Sequence, residues 1–256
     1  MLMWQITTIF LWLKKKSMII SIQTSTSQLS FTLFNDNSII NHRTIYFNKE
    51  LSEIIVPKIK MFLQDNSISF NDISYLAIGC GPGSFTGIRS IISTALGITI
   101  SHNHIKSIGV NSLAGLAMSV LDEAKNLKLN YIVSSIDSKT DDIFIQSFKI
   151  NYIKNKSTPF VVNNNIDSIK IENLYNYFVV NKLILKDILF IGHKYNVAKK
   201  LINLNVSQKL EQHPDSLGVG KLALYLIRNK ININDTNFAS NKFKPVYVRP
   251  AQINIK

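Results

Sequence analysis

From residue 18 the chain alternates apolar and polar positions with a period of two. Met18-Ile19-Ile20-Ser21-Ile22 reads as a strand, and Leu29, Phe31 and Leu33 alternate with Ser30 and Thr32 in a second. Asn35-Asp36-Asn37 has turn chemistry, and Ser38–Phe47 resumes the strand pattern. Three short strands joined by tight turns predict an antiparallel meander. The period then lengthens. Residues 49–65 place Leu51, Ile54, Ile55, Ile59, Phe62 and Leu63 on one helical face. Pro57 predicts a kink or break there, because an interior proline costs about 3 kcal/mol. Ser69–Ser74 reads as a turn, Tyr75–Ile78 as a short buried strand, residues 86–101 as a helix and Ile105–Val110 as a strand. Strand, helix, strand in that order predicts a parallel pair with a right-handed crossover.

Ser112 can cap a helix running to about Lys125. Tyr131–Asp137 and Ile143–Ile150 predict a second hairpin around the polar stretch Ser138–Asp142. Residues 151–186 are rich in Asn and Lys and lack clear periodicity, Leu189–Gly192 is a short strand, and Asp215 or Ser216 opens a helix to about Lys230. Residues 231–256 read as an extended tail, most ordered over Pro245–Pro250. The meander and crossover recur near residue 131, so two related lobes are expected. The first spans 18–110 with helix 215–230 returning to it, the second spans 111–213, and 231–256 is a C-terminal tail.

Composition bounds this picture. The 256 residues carry 46% hydrophobic side chains, enough to bury a core and too many for a disordered chain. One cysteine, Cys80, excludes a disulfide framework and a multi-cysteine metal site, and points to a reducing, cytoplasmic setting. The net charge of +13 suggests nucleic acid, yet the bases are 25 Lys and only 4 Arg, beside 39 Ile and 27 Asn. Arginine supplies bidentate and stacking contacts to nucleic acid. The Lys/Asn/Ile excess matches AT-rich codon usage. The charge is also uneven: residues 18–110 carry a net +1 and residues 214–256 a net +5. The apolar run before Lys14-Lys15-Lys16 is about 12 residues, short of the ~20 a membrane-spanning helix needs. Its charges follow the run, the reverse of a secretory signal. Residues 1–17 are therefore expected to be an extension or a miscalled start ahead of Met18, an interfacial helix being the alternative.

The densest chemistry is Gly79-Cys80-Gly81-Pro82-Gly83-Ser84-Phe85-Thr86-Gly87-Ile88-Arg89, between a strand and a helix. Glycines admit positive φ and bring amides close to a ligand, and a helix N-terminus favours an anion. Gly81, Gly83, Ser84, Thr86, Gly87 and Arg89 are thus candidates for a nucleotide or anion loop. No Gly-Lys-Ser/Thr ends it and the dinucleotide spacing is wrong. A tight turn capped by Ser84 or Thr86 explains the same residues. On the following helix Ile88, Ile91, Ile92, Ala95, Leu96 and Ile100 can face a core. Ser90, Ser93, Thr94, Gly97 and Ser101 form a small-residue face that fits either a neighbouring helix or a partner subunit. The five histidines lack helical metal spacing, so no metal site is expected.

Gly81–Arg89 resembles the signature of the bacterial TsaB (YeaZ) family of the tRNA threonylcarbamoyladenosine system. Ile22-Gln23-Thr24-Ser25, Gly109-Val110-Asn111-Ser112-Leu113, Asp137–Phe144 and Pro245-Val246-Tyr247-Val248-Arg249 are similar to further family segments, in order. The resemblance implies an actin-like ATPase (ribonuclease H-like) α/β fold, with a mixed five-stranded sheet in each of two lobes. It implies a non-catalytic subunit, with no catalytic residue and no required cofactor, that binds a TsaD-like catalytic paralogue. A TsaE-like ATPase, ATP or ADP at the complex, indirect contact with tRNA and a homodimer when alone are also implied, with no membrane association. The interface implied is the pair of helices 49–65 and 86–101, giving Leu51, Ile55, Ser90, Ser93, Thr94 and Gly97 as contact candidates. The departures fit a scaffold. Gln23 stands where an active relative would hold a metal–nucleotide through an acid. Leu51 stands where relatives often show a histidine, and Lys139 and Asp142 soften the family's Arg and Glu into an expected structural hairpin pair. A nucleotide-dependent small-molecule kinase or ATPase of the same superfamily is the alternative, and a metallopeptidase ranks below it.

Overall fold

A computed structural model describes residues 18–24, 28–35, 38–47, 51–152, 158–192, 195–204, 206–210 and 212–248. The expectations for residues 1–17, Ser25, Asp36, Asn37, His193, Arg249 and Pro250 lie outside these residues.

The meander forms as the alternation predicts. Strands β1 (Met18–Gln23), β2 (Gln28–Phe34) and β3 (Ile39–Tyr46) pair antiparallel in sequence. β4 (Ile73–Gly79) then lies parallel to β1, and β5 (Lys106–Val110) lies parallel to β4. The two-residue β12 (Ala239–Ser240) closes the far edge against β5, so the first sheet runs β12-β5-β4-β1-β2-β3. The second sheet repeats the plan. β6 (Tyr131–Asp137) and β7 (Asp142–Ile150) form the hairpin, and β10 (Ile188–Gly192) and β11 (Ser207–Leu210) add parallel strands. β8 (Phe160–Val162) and β9 (Asp167–Lys170) both pair with β7. Each sheet holds six strands, one more than expected. The additions are short edge strands with too few residues to show a period. The two sheets thus share one mixed plan, an antiparallel hairpin continued by parallel strands.

Helices fill three layers around the two sheets. On the outside of the first sheet, α1 (Leu51–Asp65) and α2 (Phe85–Ser101) bury Ile55, Ile59, Phe62, Ile88, Ile91 and Ala95 against Ile20, Ile22, Phe31 and Leu33. α1 runs unbroken through Pro57, so the alternative of a break is excluded. Pro57 is exposed while Leu51, Ile55, Ile59, Phe62 and Leu63 are buried, so packing of the opposite face keeps the helix continuous. Between the sheets, α3 (Ser112–Ser119) packs on the second sheet and α7 (Ser216–Arg228) on the first, and the two helices cross each other. The crossing is close because it uses glycine: a Cβ on Gly218 would overlap the Gly115 carbonyl oxygen. The expected helix from Ser112 to Lys125 breaks near Val120 into α3 and α4 (Leu121–Asn126), and its cap is Asn111, whose Oδ1 accepts the Leu113 N–H. α5 (Leu174–Val180) and α6 (Tyr195–Asn203) cover the outside of the second sheet. Residues 151–186, unreadable from periodicity, thus contain two edge strands and a helix.

Ser30 and Thr32 show why alternation alone misleads here. They occupy the polar positions of β2, yet both are fully buried because α7 covers that face of the sheet. Ser30 Oγ accepts the Ser216 N–H at 2.9 Å, and Thr32 Oγ1 lies 2.7 Å from Ser216 Oγ. Buried hydroxyls are tolerable once hydrogen-bonded. Among the described residues no helix is long and apolar enough to cross a membrane.

Candidate functional site

The glycine loop joins β4 to α2. Gly81 takes a φ of +101°, a conformation that excludes most side chains. Ser84 caps α2, its Oγ accepting the Gly87 N–H at 3.3 Å. The Cys80 and Gly81 groups turn into the fold, while Thr86 is exposed. Cys80 N–H donates to Val110 O at 2.7 Å, Gly81 N–H to Ser112 Oγ at 3.1 Å and Ser112 N–H to Gly81 O at 2.7 Å. Val246 N–H of the tail donates to Cys80 O at 2.8 Å. The loop therefore fastens β4, β5, α3 and the C-terminal tail to one another. Ser112, legible from the sequence only as a cap, is the hub of this joint.

Gln23 lies beneath it, 1% exposed. Its Nε2 donates to Ser112 Oγ at 3.0 Å, and its Oε1 accepts the Thr24 N–H at 3.2 Å. The carboxamide lies flat against Gly79, where a Cβ would overlap it. Gly81, Gly83, Ser84, Thr86 and Gly87 do share one loop, but the amides of Cys80, Gly81, Gly87 and Ile88 are bonded within the fold. Arg89 turns from the loop toward the tail. Its guanidinium carbon lies 3.8 Å from the Phe85 ring centroid, and its Nε donates to Tyr247 Oη at 3.0 Å. A magnesium–nucleotide is favoured by a hard oxygen anion and free donors; Gln23 supplies no anion, and four of the loop's amides are already engaged.

The partner-facing candidates divide. Leu51 and Ile55 are 5% and 1% exposed and belong to the core under α1, so they cannot meet another chain without unpacking the lobe. On α2, Ser93 and Gly97 are exposed, and Ser90 and Thr94 are half-buried. Nothing lies within 4 Å of a Cβ built on Gly97. Leu96 and Ile100, expected in the core, are exposed, Ile100 by 79%. Ser93, Leu96, Gly97 and Ile100 therefore form one outward stripe, with Val56 and Met61 exposed on the neighbouring α1.

The β6–β7 hairpin is shaped by Asp137 and Ser138. Asp137 Oδ1 accepts the Lys139 N–H at 2.9 Å, and Ser138 Oγ donates to Asp142 O at 2.7 Å. Lys139 sits at φ +63°, and Asp142 Oδ2 accepts from Ser168 Oγ at 3.4 Å. The lobes are tied together where Asn111 Nδ2 donates to Gln146 Oε1 at 2.7 Å. His102 stacks on Phe70, and among the described residues no cluster of metal-ligating side chains forms. Burial pushes the Cys80 thiol up to about 12, so it is an inert core group rather than a nucleophile.

The family model described as TsaD, tRNA N6-adenosine threonylcarbamoyltransferase, matches residues 46–255. Among curated proteins, the chain is similar to the tRNA threonylcarbamoyladenosine biosynthesis protein TsaB of Buchnera aphidicola subsp. Baizongia pistaciae. That likeness is 29% identity, covering 75% of this chain and 92% of the relative. It is also 29% identical to the Escherichia coli protein of the same name, over 49% of this chain and 52% of that one. The chain belongs to this family, in its TsaB (YeaZ) branch. The fold agrees with that of YeaZ from Pseudomonas aeruginosa. A TM-score of 0.69 at 16% identity covers 90% of this chain and 99% of that one. The matched stretch, residues 46–255, takes in the glycine loop and the outward stripe of α2.

Proposed function

We propose that this chain is a non-catalytic, activating subunit in the synthesis of threonylcarbamoyladenosine on tRNA, and that it binds a TsaD-like catalytic paralogue. Family membership supplies the pathway. The observation that carries the scaffold role is Gln23, a buried carboxamide bonded to Ser112 where catalysis would need a carboxylate. The docking face is the stripe Ser93, Leu96, Gly97 and Ile100 of α2 with Val56 of α1, flanked by Ser90 and Thr94. Exposed aliphatic side chains around an uncovered glycine let another helix approach closely, and a rigid, packed lobe loses little entropy on docking. The same face serves for a homodimer when the chain is alone. A TsaE-like ATPase, any ATP or ADP and the tRNA attach through the partner chains, in the cytoplasm.

Co-purification with the catalytic paralogue tests this reading. The wild-type chain is expected to bind it, Gly97→Trp at least tenfold more weakly with a thermal midpoint no lower than wild type. Full binding by Gly97→Trp would place the interface elsewhere. Magnesium-dependent ATP turnover by the isolated chain would favour the kinase or ATPase alternative.

A further inference from the structure

The outward stripe exposes Leu96 by 44% and Ile100 by 79% on α2, with Val56 and Met61 exposed beside them on α1. Both helices finish at the end of the lobe where the described chain begins. Past the end of α2, His102 stacks on Phe70 and His104 Nε2 lies 3.3 Å from Phe70 O. Phe70 leads into Ile73, the register partner of Met18. Past the end of α1, Asn41 Nδ2 donates to Asn66 Oδ1 at 2.9 Å, and Asn41 pairs with Leu33, which pairs with Ile20. Met18 itself packs against the core beneath α1 and α2. The chain therefore enters the lobe at the end of the stripe that Met61 and Ile100 occupy.

The sequence ahead of Met18 matches that stripe. Within Met1–Leu13 only Gln5, Thr7 and Thr8 are polar, and none is charged. The run is too short for a bilayer and gains by burial on some other apolar surface. Lys14–Ser17 can reach up to about 14 Å, and Met1–Leu13 would be about 20 Å long even as a helix, against about 12 Å for Ser93–Ile100. A segment on so short a tether meets its own stripe at an effective concentration on the order of millimolar, which a second copy does not reach. The charges agree. Neither α1 nor α2 has a base in its last turn, so their carbonyl ends favour cations. Arg43 and Lys106 beside them are engaged by Asp65 and by the Tyr75 ring. Lys14-Lys15-Lys16 precede Met18 at that same end.

We infer that residues 1–13 cover the α1–α2 stripe of their own chain, with Lys14–Lys16 at the helix ends, and that this cover competes with the partner subunit. The competition rests on the docking face proposed above; the cover does not. A cover closed nine-tenths of the time would weaken partner binding about tenfold.

Trp4 and Trp12 are the only tryptophans of the chain, so tryptophan fluorescence reports this segment alone. In the full chain their emission is expected to be blue-shifted, and acrylamide quenching at least threefold weaker than in denaturant, at every protein concentration. Leu96→Asp with Ile100→Asp changes exposed positions only and should raise the quenching at least twofold, with the far-ultraviolet circular dichroism unchanged. Lys14, Lys15 and Lys16→Glu should do the same without touching the lobe. Wild-type quenching equal to that in denaturant, or quenching unmoved by both variants, overturns the cover. So does protection that appears only as concentration rises or only with anionic vesicles, and so does a native protein whose mass starts at Met18. Ile6→Asp with Ile9→Asp should then bind the catalytic paralogue at least tenfold more tightly than wild type. Equal binding by the two forms overturns the competition. A paralogue that binds neither form refutes the docking reading instead, and the fluorescence still decides the cover.

Discussion

Replacing glycine by alanine in a helix ordinarily stabilises it by about 1 kcal/mol, by restricting the unfolded chain and improving propensity. Two helical glycines of this chain should depart from each other in sign. At Gly97 on α2 the new methyl meets nothing within 4 Å and the φ is helical, so Gly97→Ala should gain roughly 0.5–1 kcal/mol. At Gly218 on α7 the methyl would overlap the Gly115 carbonyl oxygen and lie 2.9 Å from its carbon. Those are backbone atoms of α3 and cannot rotate away. The helices must separate by most of an ångström along a contact that joins the two lobes. Overpacking of this kind costs about 1–3 kcal/mol, and here it acts against a propensity gain of about 1. Gly218→Ala should therefore be neutral to destabilising by ~2 kcal/mol, and at least ~0.5 kcal/mol less stable than Gly97→Ala. Urea unfolding followed by circular dichroism measures both, with m-values checking that the transition stays two-state. Equal or greater stability of Gly218→Ala relative to Gly97→Ala would refute the close crossing.

Other consequences follow from particular contacts. Gln23→Glu should cost about 1–3 kcal/mol near neutral pH, because it buries a carboxylate beside Ser112. Its thermal midpoint should recover toward wild type on acidification, and a pH-independent loss would contradict this. Cys80 ionises near 9.0 when unfolded and about 12 when folded, so the folded state holds a proton the unfolded chain releases. Stability should then fall by about 1.4 kcal/mol per pH unit above 9 relative to Cys80→Ala, with no difference below pH 8. Equal slopes for the two proteins would exclude the buried thiol as the cause. Arg89→Ala should leave global stability within about 1 kcal/mol, since its contacts are exposed, while limited proteolysis at residues 242–248 accelerates. Unchanged cleavage would show that the Tyr247 contact does not hold the tail.

Much of the fold was legible because local periods carry it. The period-two run from Met18 and the helical run from Leu51 name their own elements, and Gly81–Arg89 names the loop and the family. Residues 151–186 were not legible, because strands of three and four residues and a seven-residue helix are shorter than the windows in which a period shows. The site was legible only in part. The sequence placed Gln23, the glycine loop and the small face of α2, while Ser112 as hub had no local signal.

The sequence by itself determined which positions of each element share a face, and where the chain turns. What covers each face was decided by tertiary structure. Leu96 and Ile100 stand in the apolar pattern of α2 with Ile92, but they face away from the core that buries Ile92 and are left outside. Ser30 and Thr32 stand in the polar pattern of β2, but α7 returns from 186 and 184 residues later to cover and bond them. Periodicity is a property of neighbours along the chain, whereas burial and hydrogen bonding depend on segments that meet only after the chain has folded.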